Sequence, residues 1–263
     1  MEELTVQIDI AGSIAWVWMN RPVVHNALNE AMIADLTRAF TSLGQNSDVR
    51  VIVLSGRGKS FSAGADVESM KRMGAAPLDL NLEDARQLAE LFRTIAFAPK
   101  PTIARVNGAA IGGGLGLVAA CDIAIASSTA VFAVSEVRLG LIPSTIAPYV
   151  VRAIGSRAAR RLFQTGERIA VVQAEKIGLV HETVDPDQLD RSVEAAIANL
   201  LAGAPLAQLA AKDLIDAVAG QPITSDLIED TAHRIANVRS TPEACEGLAA
   251  FLEKRSPYWV PKR

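Results

Sequence analysis

The chain has 263 residues, half of them hydrophobic, and a formal net charge of −3. That length holds one large domain, or a domain with a helical appendage, and the acidic balance excludes a global pull toward nucleic acid or anionic membrane. Two distant cysteines, Cys121 and Cys245, exclude a disulfide framework, and the histidines His25, His181 and His233 lack the spacing of a metal motif.

The N-terminal stretch Met1-Glu2-Glu3-Leu4-Thr5-Val6 carries acids and no apolar core of a leader peptide. No run of about 18 apolar residues is present, so the expectation is a cytoplasmic protein with no membrane segment. Thr5–Ile10 alternates and Ile14–Met19 is mostly apolar. With Gly12-Ser13 between them, the pair predicts a hairpin. Glu30–Leu43 has helical spacing and stops at Gly44. A buried strand is predicted over Val49–Leu54, a helix over Leu82–Ala98 ending before Pro99, and short strands over Ile103–Val106 and Ile123–Ala126. The alternation of strand and helix points to parallel βαβ units and an α/β class. After about residue 145 alanine-rich helical patterns dominate: Ala158–Gln164, Val171–Ile177, Leu189–Ala202, Pro205–Val218, Ser225–Asn237 and Pro242–Leu252. The expected organisation is an α/β core over residues 1–200 and a helical section over 201–263, whose apolar residues need either the core or another subunit to cover them.

Two segments are built to expose backbone. One runs from Gly56 through Phe61-Ser62-Ala63-Gly64-Ala65-Asp66, directly after a strand. The other is Asn107-Gly108-Ala109-Ala110-Ile111-Gly112-Gly113-Gly114-Leu115-Gly116. Neither is a P-loop, and the second is a poor dinucleotide fingerprint because it lacks G-x-G-x-x-G and a downstream acid. Tight helix–sheet packing would explain the glycines equally well. The alternative is chemical: ligands bind beyond strand ends in open α/β sheets, and one N–H from each loop could converge on a single oxygen as an oxyanion hole.

Phe61–Asp66, the Gly112–Gly114 loop running to Cys121-Asp122-Ile123-Ala124, and Ser135-Glu136-Val137-Arg138-Leu139-Gly140-Leu141-Ile142-Pro143 together resemble the enoyl-CoA hydratase/isomerase (crotonase) superfamily. Arg21-Pro22, Asn26-Ala27-Leu28-Asn29 and Phe251-Leu252-Glu253-Lys254-Arg255 extend the resemblance over nearly the whole chain. It implies a ClpP-like spiral of repeated ββα units and an acyl-CoA thioester as substrate. It also implies a homotrimer or a hexamer of paired trimers, built through the C-terminal helices. No separate cofactor is implied, since coenzyme A is part of the substrate. Carried over by position, the oxyanion donors are the N–H groups of Ala65 and Gly113. Ala63 and Ala65 would meet the adenine, and Arg21, Arg57 and Lys59 are candidate phosphate partners. Asp66, Gly112, Gly116 and Arg138 complete the expected substrate-binding set, although an N-cap of the following turn is the stronger reading of Asp66.

The family's hydratases place two glutamates around the double bond. Here the first position falls on Gly116 and the second on Glu136, so one acid/base group is missing. Glu136 is the expected proton carrier, its pKa raised by an apolar surround. A loop ion pair with Arg138 or Arg152 would be its structural alternative. A single glutamate can serve hydration of a 2-enoyl thioester or, as in isomerases of this family, 3-enoyl to 2-enoyl conversion. A third reading is a catalytically silent acyl-CoA binder. The stretch around Ile146-Ala147-Pro148-Tyr149, with Ser144-Thr145 where Gly-Gly is usual, resembles bacterial hydratases of glutaconyl-type thioesters. There Arg93, Arg138 or Arg152 could pair with a distal carboxylate. Leu88, Leu91 and Phe92 are expected to line the acyl pocket or the core.

Overall fold

A computed structural model describes residues 4–261. Contacts divide the chain into two compact units, Met1–Ala98 with Thr102–Glu194, and Pro99–Pro101 with Ala195–Arg263.

The first unit is a mixed α/β fold. β1 (Val6–Ala11) and β2 (Ile14–Met19) form the expected hairpin, paired antiparallel from Val6↔Met19 to Ala11↔Ile14. β2 then runs parallel to β3 (Val51–Gly56), which is buried at every position. A strand covered on both faces loses alternation and reads as continuous apolar sequence, as Val51–Leu54 does. β4 (Thr102–Val106), β6 (Ile123–Ser127) and β9 (Glu182–Val184) extend the sheet in parallel, giving the order β1-β2-β3-β4-β6-β9. A second sheet has the order β5-β7-β8, from β5 (Ala110–Ile111), β7 (Val131–Ala133) and β8 (Arg168–Ala170).

This arrangement is the expected ββα repeat. β4 and β5 lead to α4 (Gly113–Ala120), and β6 and β7 lead to α5 (Ala147–Thr165), with the first strand of each pair in the large sheet and the second in the small one. α1 (Glu30–Gln45) is started by Asn29, whose side chain accepts from the Met32 N–H. It buries Met32, Leu36, Phe40 and Leu43 on one face. α2 (Val67–Gly74) and α3 (Leu78–Ala96) follow β3, and α6 (Val171–Lys176) follows β8.

Two helix starts differ from the sequence reading. α3 begins at Leu78 rather than Leu82, because the Asn81 amide donates to Ala76 O and Pro77 O and ties down an extra turn. α5 begins at Ala147 rather than Ala158: Pro148 fits the first helical turn, and the non-helical Gly155 (φ 71°) bends the helix without ending it.

α7 (Leu189–Ala202) crosses the division between the units, which lies at Glu194/Ala195. In the second unit, α8 (Pro205–Val218) is followed by α9 (Ser225–Arg239) and α10 (Pro242–Leu252), the last two capped by Thr224 and Thr241. Glu243, only 5% exposed, accepts from the Leu206 and Ala207 N–H groups. It thus caps α8 from another helix.

Candidate active site

The two glycine-bearing loops are pinned together by main-chain bonds. Ser62 N–H donates to Ala109 O at 3.0 Å, and Ile111 N–H donates to Ser62 O at 3.0 Å. Leu28 joins from the other side: its N–H donates to Gly64 O, and its carbonyl accepts from Asp66 N–H. Gly64 sits at φ 89°, and a Cβ there would lie 2.7 Å from Ile111 O and 3.6 Å from Gly113 N. Only glycine permits this approach. Ala63 and Ala65 on either side are exposed.

Ala65 N–H makes no hydrogen bond among the described residues. Nor does Gly113 N–H, which opens α4, where the first helical N–H groups lack intrahelical acceptors. Two unspent donors thus occur on adjacent loops, which is what an oxyanion hole requires.

Asn26 holds the first loop in place. It is fully buried at φ 55°, a left-handed conformation that asparagine tolerates. Its amide donates to Arg57 O, Ser60 O and Phe61 O and accepts from Arg21 N–H. Nothing in the Asn-Ala-Leu-Asn stretch itself signals this brace. Asp66 is the N-cap of α2, accepting from Glu68 N–H and Ser69 N–H, while its other oxygen pairs with Arg21 at 2.9 Å. Arg21 also donates to Ala27 O at 2.6 Å. Asp66 and the Arg21 Nη1 are therefore engaged by the scaffold.

Burial raises the Asp66 pKa, but the Arg21 bond and the Ser69 and Glu68 amides outweigh it and hold the carboxyl below its ordinary value. Stability from this group is therefore complete above the ordinary carboxylate range and falls away as pH drops through the lowered pKa. Asp66→Ala is expected to cost on the order of 2 kcal/mol, combining a lost cap and an unpaired Arg21, read as a lower denaturant midpoint.

Glu136 is delivered by the second sheet. β5 pairs with β7 in parallel at Ile111↔Ala133, and Gly112 N–H donates to Ala133 O at 2.8 Å. A 3-10 turn, Glu136–Leu139, begins three residues beyond β7. It brings the carboxylate against Gly112, where a Cβ would lie 3.1 Å from Glu136 Oε1. Gly112 has φ 50° and immediately precedes Gly113. Glu136 Oε2 is buried with no hydrogen-bond partner, and burial pushes the carboxyl pKa up. The ion-pair alternative with Arg138 does not occur. Arg138 is exposed and lies against the end of α5, its Nε 3.4 Å from Thr165 O and its side chain beside Gly166.

Gly116 also departs from expectation. It is buried, and a Cβ there would meet Ile146 Cγ2 at 2.3 Å and Phe92 Cε1 at 3.0 Å. The position that carries the first glutamate in two-carboxylate relatives is plugged by two apolar side chains, so Gly116 has no open face for substrate. Phe92, on α3, is fully buried, and its tip also comes within 4.0 Å of a Cβ placed on Gly113. Leu28 Cδ1 lies 3.0 Å from the same point. Lys59 is exposed at the head of the first loop. Arg57 stacks over Trp18 at 4.0 Å and reaches Gln7 and Asp9. Among the described residues no three His, Cys, Asp or Glu side chains converge as a metal site.

The family model for enoyl-CoA hydratase/isomerase matches residues 9–262. The chain belongs to the enoyl-CoA hydratase/isomerase family. It is 33% identical to the short-chain-enoyl-CoA hydratase of Clostridium acetobutylicum, with 97% of each chain covered. It is also 33% identical to the crotonyl-CoA hydratase of Syntrophomonas wolfei, with 95% of each covered. Among solved structures, an enoyl-CoA hydratase from Shewanella pealeana superimposes with a TM-score of 0.94 at 39% identity, covering 97% of this chain and 96% of the other. As an enoyl-CoA hydratase/isomerase, this chain is an enzyme of acyl-CoA thioesters. The free N–H groups of Ala65 and Gly113 lie on the two adjoining loops, and the buried Glu136 Oε2 without a partner lies beside Gly112.

Proposed function

We propose that the chain hydrates a 2-enoyl-CoA with Glu136 as its only carboxylate. The observation that carries this reading is the buried, unpartnered Glu136 oxygen beside Gly112, next to the unspent Gly113 N–H. Glu136 takes a proton from water as the water oxygen bonds to C3. The C2=C3 electron pair moves toward the thioester oxygen, where Ala65 and Gly113 N–H groups meet the developing charge. The resulting enolate then takes the proton from Glu136 at C2, which restores the carboxylate. One water is added, and the same group both removes and returns the proton. A carboxyl pKa raised toward neutrality suits both roles. The hydratase names of the relatives support this direction, and the stretch around Ile146–Tyr149 supports a branched, glutaconyl-type acyl group.

One observation favours a second reading. With Gly116 sealed by Ile146 and Phe92, the same carboxylate could move a proton from C2 to C4 of a 3-enoyl thioester, which needs no water. Incubation with crotonyl-CoA, 3-methylglutaconyl-CoA and a 3-enoyl-CoA separates the two. Hydration is expected to bleach the conjugated thioester absorbance and add the mass of one water. Appearance of that absorbance from the 3-enoyl ester with no mass change, and inertness toward both 2-enoyl esters, would replace it with isomerisation. A trimer or hexamer completes the proposal, supported by exposed Leu248, Phe251 and Leu252 on the last helix. Light scattering is expected to return three or six times the 27.9 kDa chain mass, and a monomer at working concentrations would remove that part.

A further inference from the structure

Leu28 touches both loops that carry an unspent N–H. Its main chain forms a parallel bridge with Ala65. Leu28 N–H donates to Gly64 O at 2.7 Å, and Asp66 N–H donates to Leu28 O at 2.9 Å. Both bonds fall on the neighbours of Ala65. In a parallel pairing of this kind the bridged residue's own N–H points to the opposite side, so Ala65 N–H is turned away from Leu28. The bridge fixes the loop on either side of this donor and leaves the donor itself free.

The Leu28 side chain goes to the other loop. A Cβ on Gly113 would lie 3.0 Å from Leu28 Cδ1, which is nearer than Phe92 Cζ at 4.0 Å. Leu28 is 4% exposed and belongs to the hydrophobic core. It immediately precedes Asn29, the N-cap of α1, so a helix of 16 residues fixes where this side chain begins. The hydrogen bonds that pin the two loops together stop at Ser62 and Ile111. Among the described residues none joins residues 63–66 to residues 112–114, and Gly112 N–H turns to Ala133 O instead. Between Ala65 and Gly113 the spacing is therefore left to packing, by the backbone of Gly64 and the side chain of Leu28.

We propose that Leu28 is a positioning residue for the oxyanion hole: its main chain aims the Ala65 N–H, and its Cδ1 methyl holds Gly113 at the matching distance. This inference rests on the reading of those two N–H groups as donors to the thioester oxygen. Such donors act over a range of a few tenths of an ångström around 2.9 Å, as an order of magnitude. Removing Cδ1 keeps both main-chain bonds and frees Gly113 to drift. A slack donor is felt most where charge develops, so kcat falls while binding of the ground-state ester changes little.

The test reads the thioester carbonyl directly and needs no turnover. Butyryl-CoA labelled with carbon-13 at the carbonyl is bound to the full chain, and its stretching band is followed by difference infrared spectroscopy. Hydrogen bonding in the hole is expected to lower that frequency relative to the free ester. Leu28→Val, which removes the δ carbons and keeps most of the volume, and Leu28→Ala are each expected to lose much of the downshift. With crotonyl-CoA, kcat is expected to fall by about tenfold at a KM changed by less than about twofold, a fraction of the loss of a whole donor. Leu28→Met, of similar volume, is expected to restore both. Leu36→Ala, in a fully buried position farther along α1, is expected to lower the denaturant midpoint and keep the downshift. An unchanged downshift in Leu28→Val would overturn the positioning role, as would an equal loss in Leu36→Ala. No downshift in the unmodified chain would remove the oxyanion reading and this inference with it. A downshift lost in Leu28→Val from a chain that turns over no 2-enoyl ester would leave this inference standing and remove hydration.

Discussion

Glu136→Gln is expected to lower kcat by about 100- to 10,000-fold, the usual contribution of a positioned acid/base group, and to make the folded protein more stable near neutral pH. The two effects have one cause. Glu136 Oε2 is buried and unpartnered, and burial raises the folded-state pKa above its unfolded value. Between those two values the folded state holds a proton that the unfolded state has released. Stability therefore falls as pH rises through that window and stays lower above it. An uncharged amide of nearly the same shape escapes the penalty. Activity has the opposite dependence: hydration needs the carboxylate, so kcat/KM should rise with pH through an apparent pKa above the ordinary carboxylate range. Urea midpoints across pH, alongside the pH–rate profile, check both. A variant that loses activity but gains no stability at neutral pH would mean that the Glu136 charge is compensated in solution, and the raised-pKa account of its role would fail.

Much of this site was legible because it is written in contiguous sequence. The strand before Gly56, the Ser62–Asp66 loop and the Gly112–Gly114 turn each announce exposed backbone, and Glu136 follows from its place in a local motif. The Asp66 cap was legible for the same reason, since an N-cap bonds residues two and three positions away. What escaped was carried by contacts distant in sequence. The Asn26 amide bonds carbonyls more than thirty residues away. β5, β7 and β8 have only two or three residues each, too few for any periodicity to register, yet the β5–β7 pair is what sets Glu136 against Gly112. Arg21 was readable as a surface cation by type, but its pairing with Asp66 depends on the loop returning over α2.

The most instructive case is the missing glutamate. Two departures from the family pattern were visible: glycine at 116, and Ser144-Thr145 in place of the usual glycines just before Ile146. Nothing in one dimension says that the first meets the residue after the second. In the fold, Ile146 Cγ2 stands where a Gly116 side chain would begin, 2.3 Å from the ideal Cβ. Ile146, the residue directly after Ser144-Thr145, thus fills the volume that a side chain at 116 would take.

This reading has a large expected consequence. Gly116→Glu alone should be strongly destabilised, by about 1–3 kcal/mol or more for overpacking, because its Cβ also comes within 2.9 Å of Ile146 Cβ and cannot be relieved by a rotamer change at a side-chain tip. Ile146→Gly alone should lose about 2–5 kcal/mol through the cavity it opens in a site only 1% exposed. Combined, the two should be less damaging than their sum, with a favourable coupling of about 1 kcal/mol or more in a double-mutant cycle. Phe92 Cε1, 3.0 Å from the same point, needs only a small shift to accept the new side chain. The double variant also restores a second carboxyl opposite Glu136. Buried among Phe92 and its neighbours, that group should remain protonated well above the usual carboxylate range, able to donate to C2 while Glu136 activates water. Hydration of crotonyl-CoA should therefore rise relative to Ile146→Gly, and any 3-enoyl isomerisation should not rise with it. Strict additivity of the two stability changes would show that 116 and 146 are independent sites. Coupled stability without a gain in hydration would mean that one glutamate already carries both proton transfers and the second adds nothing.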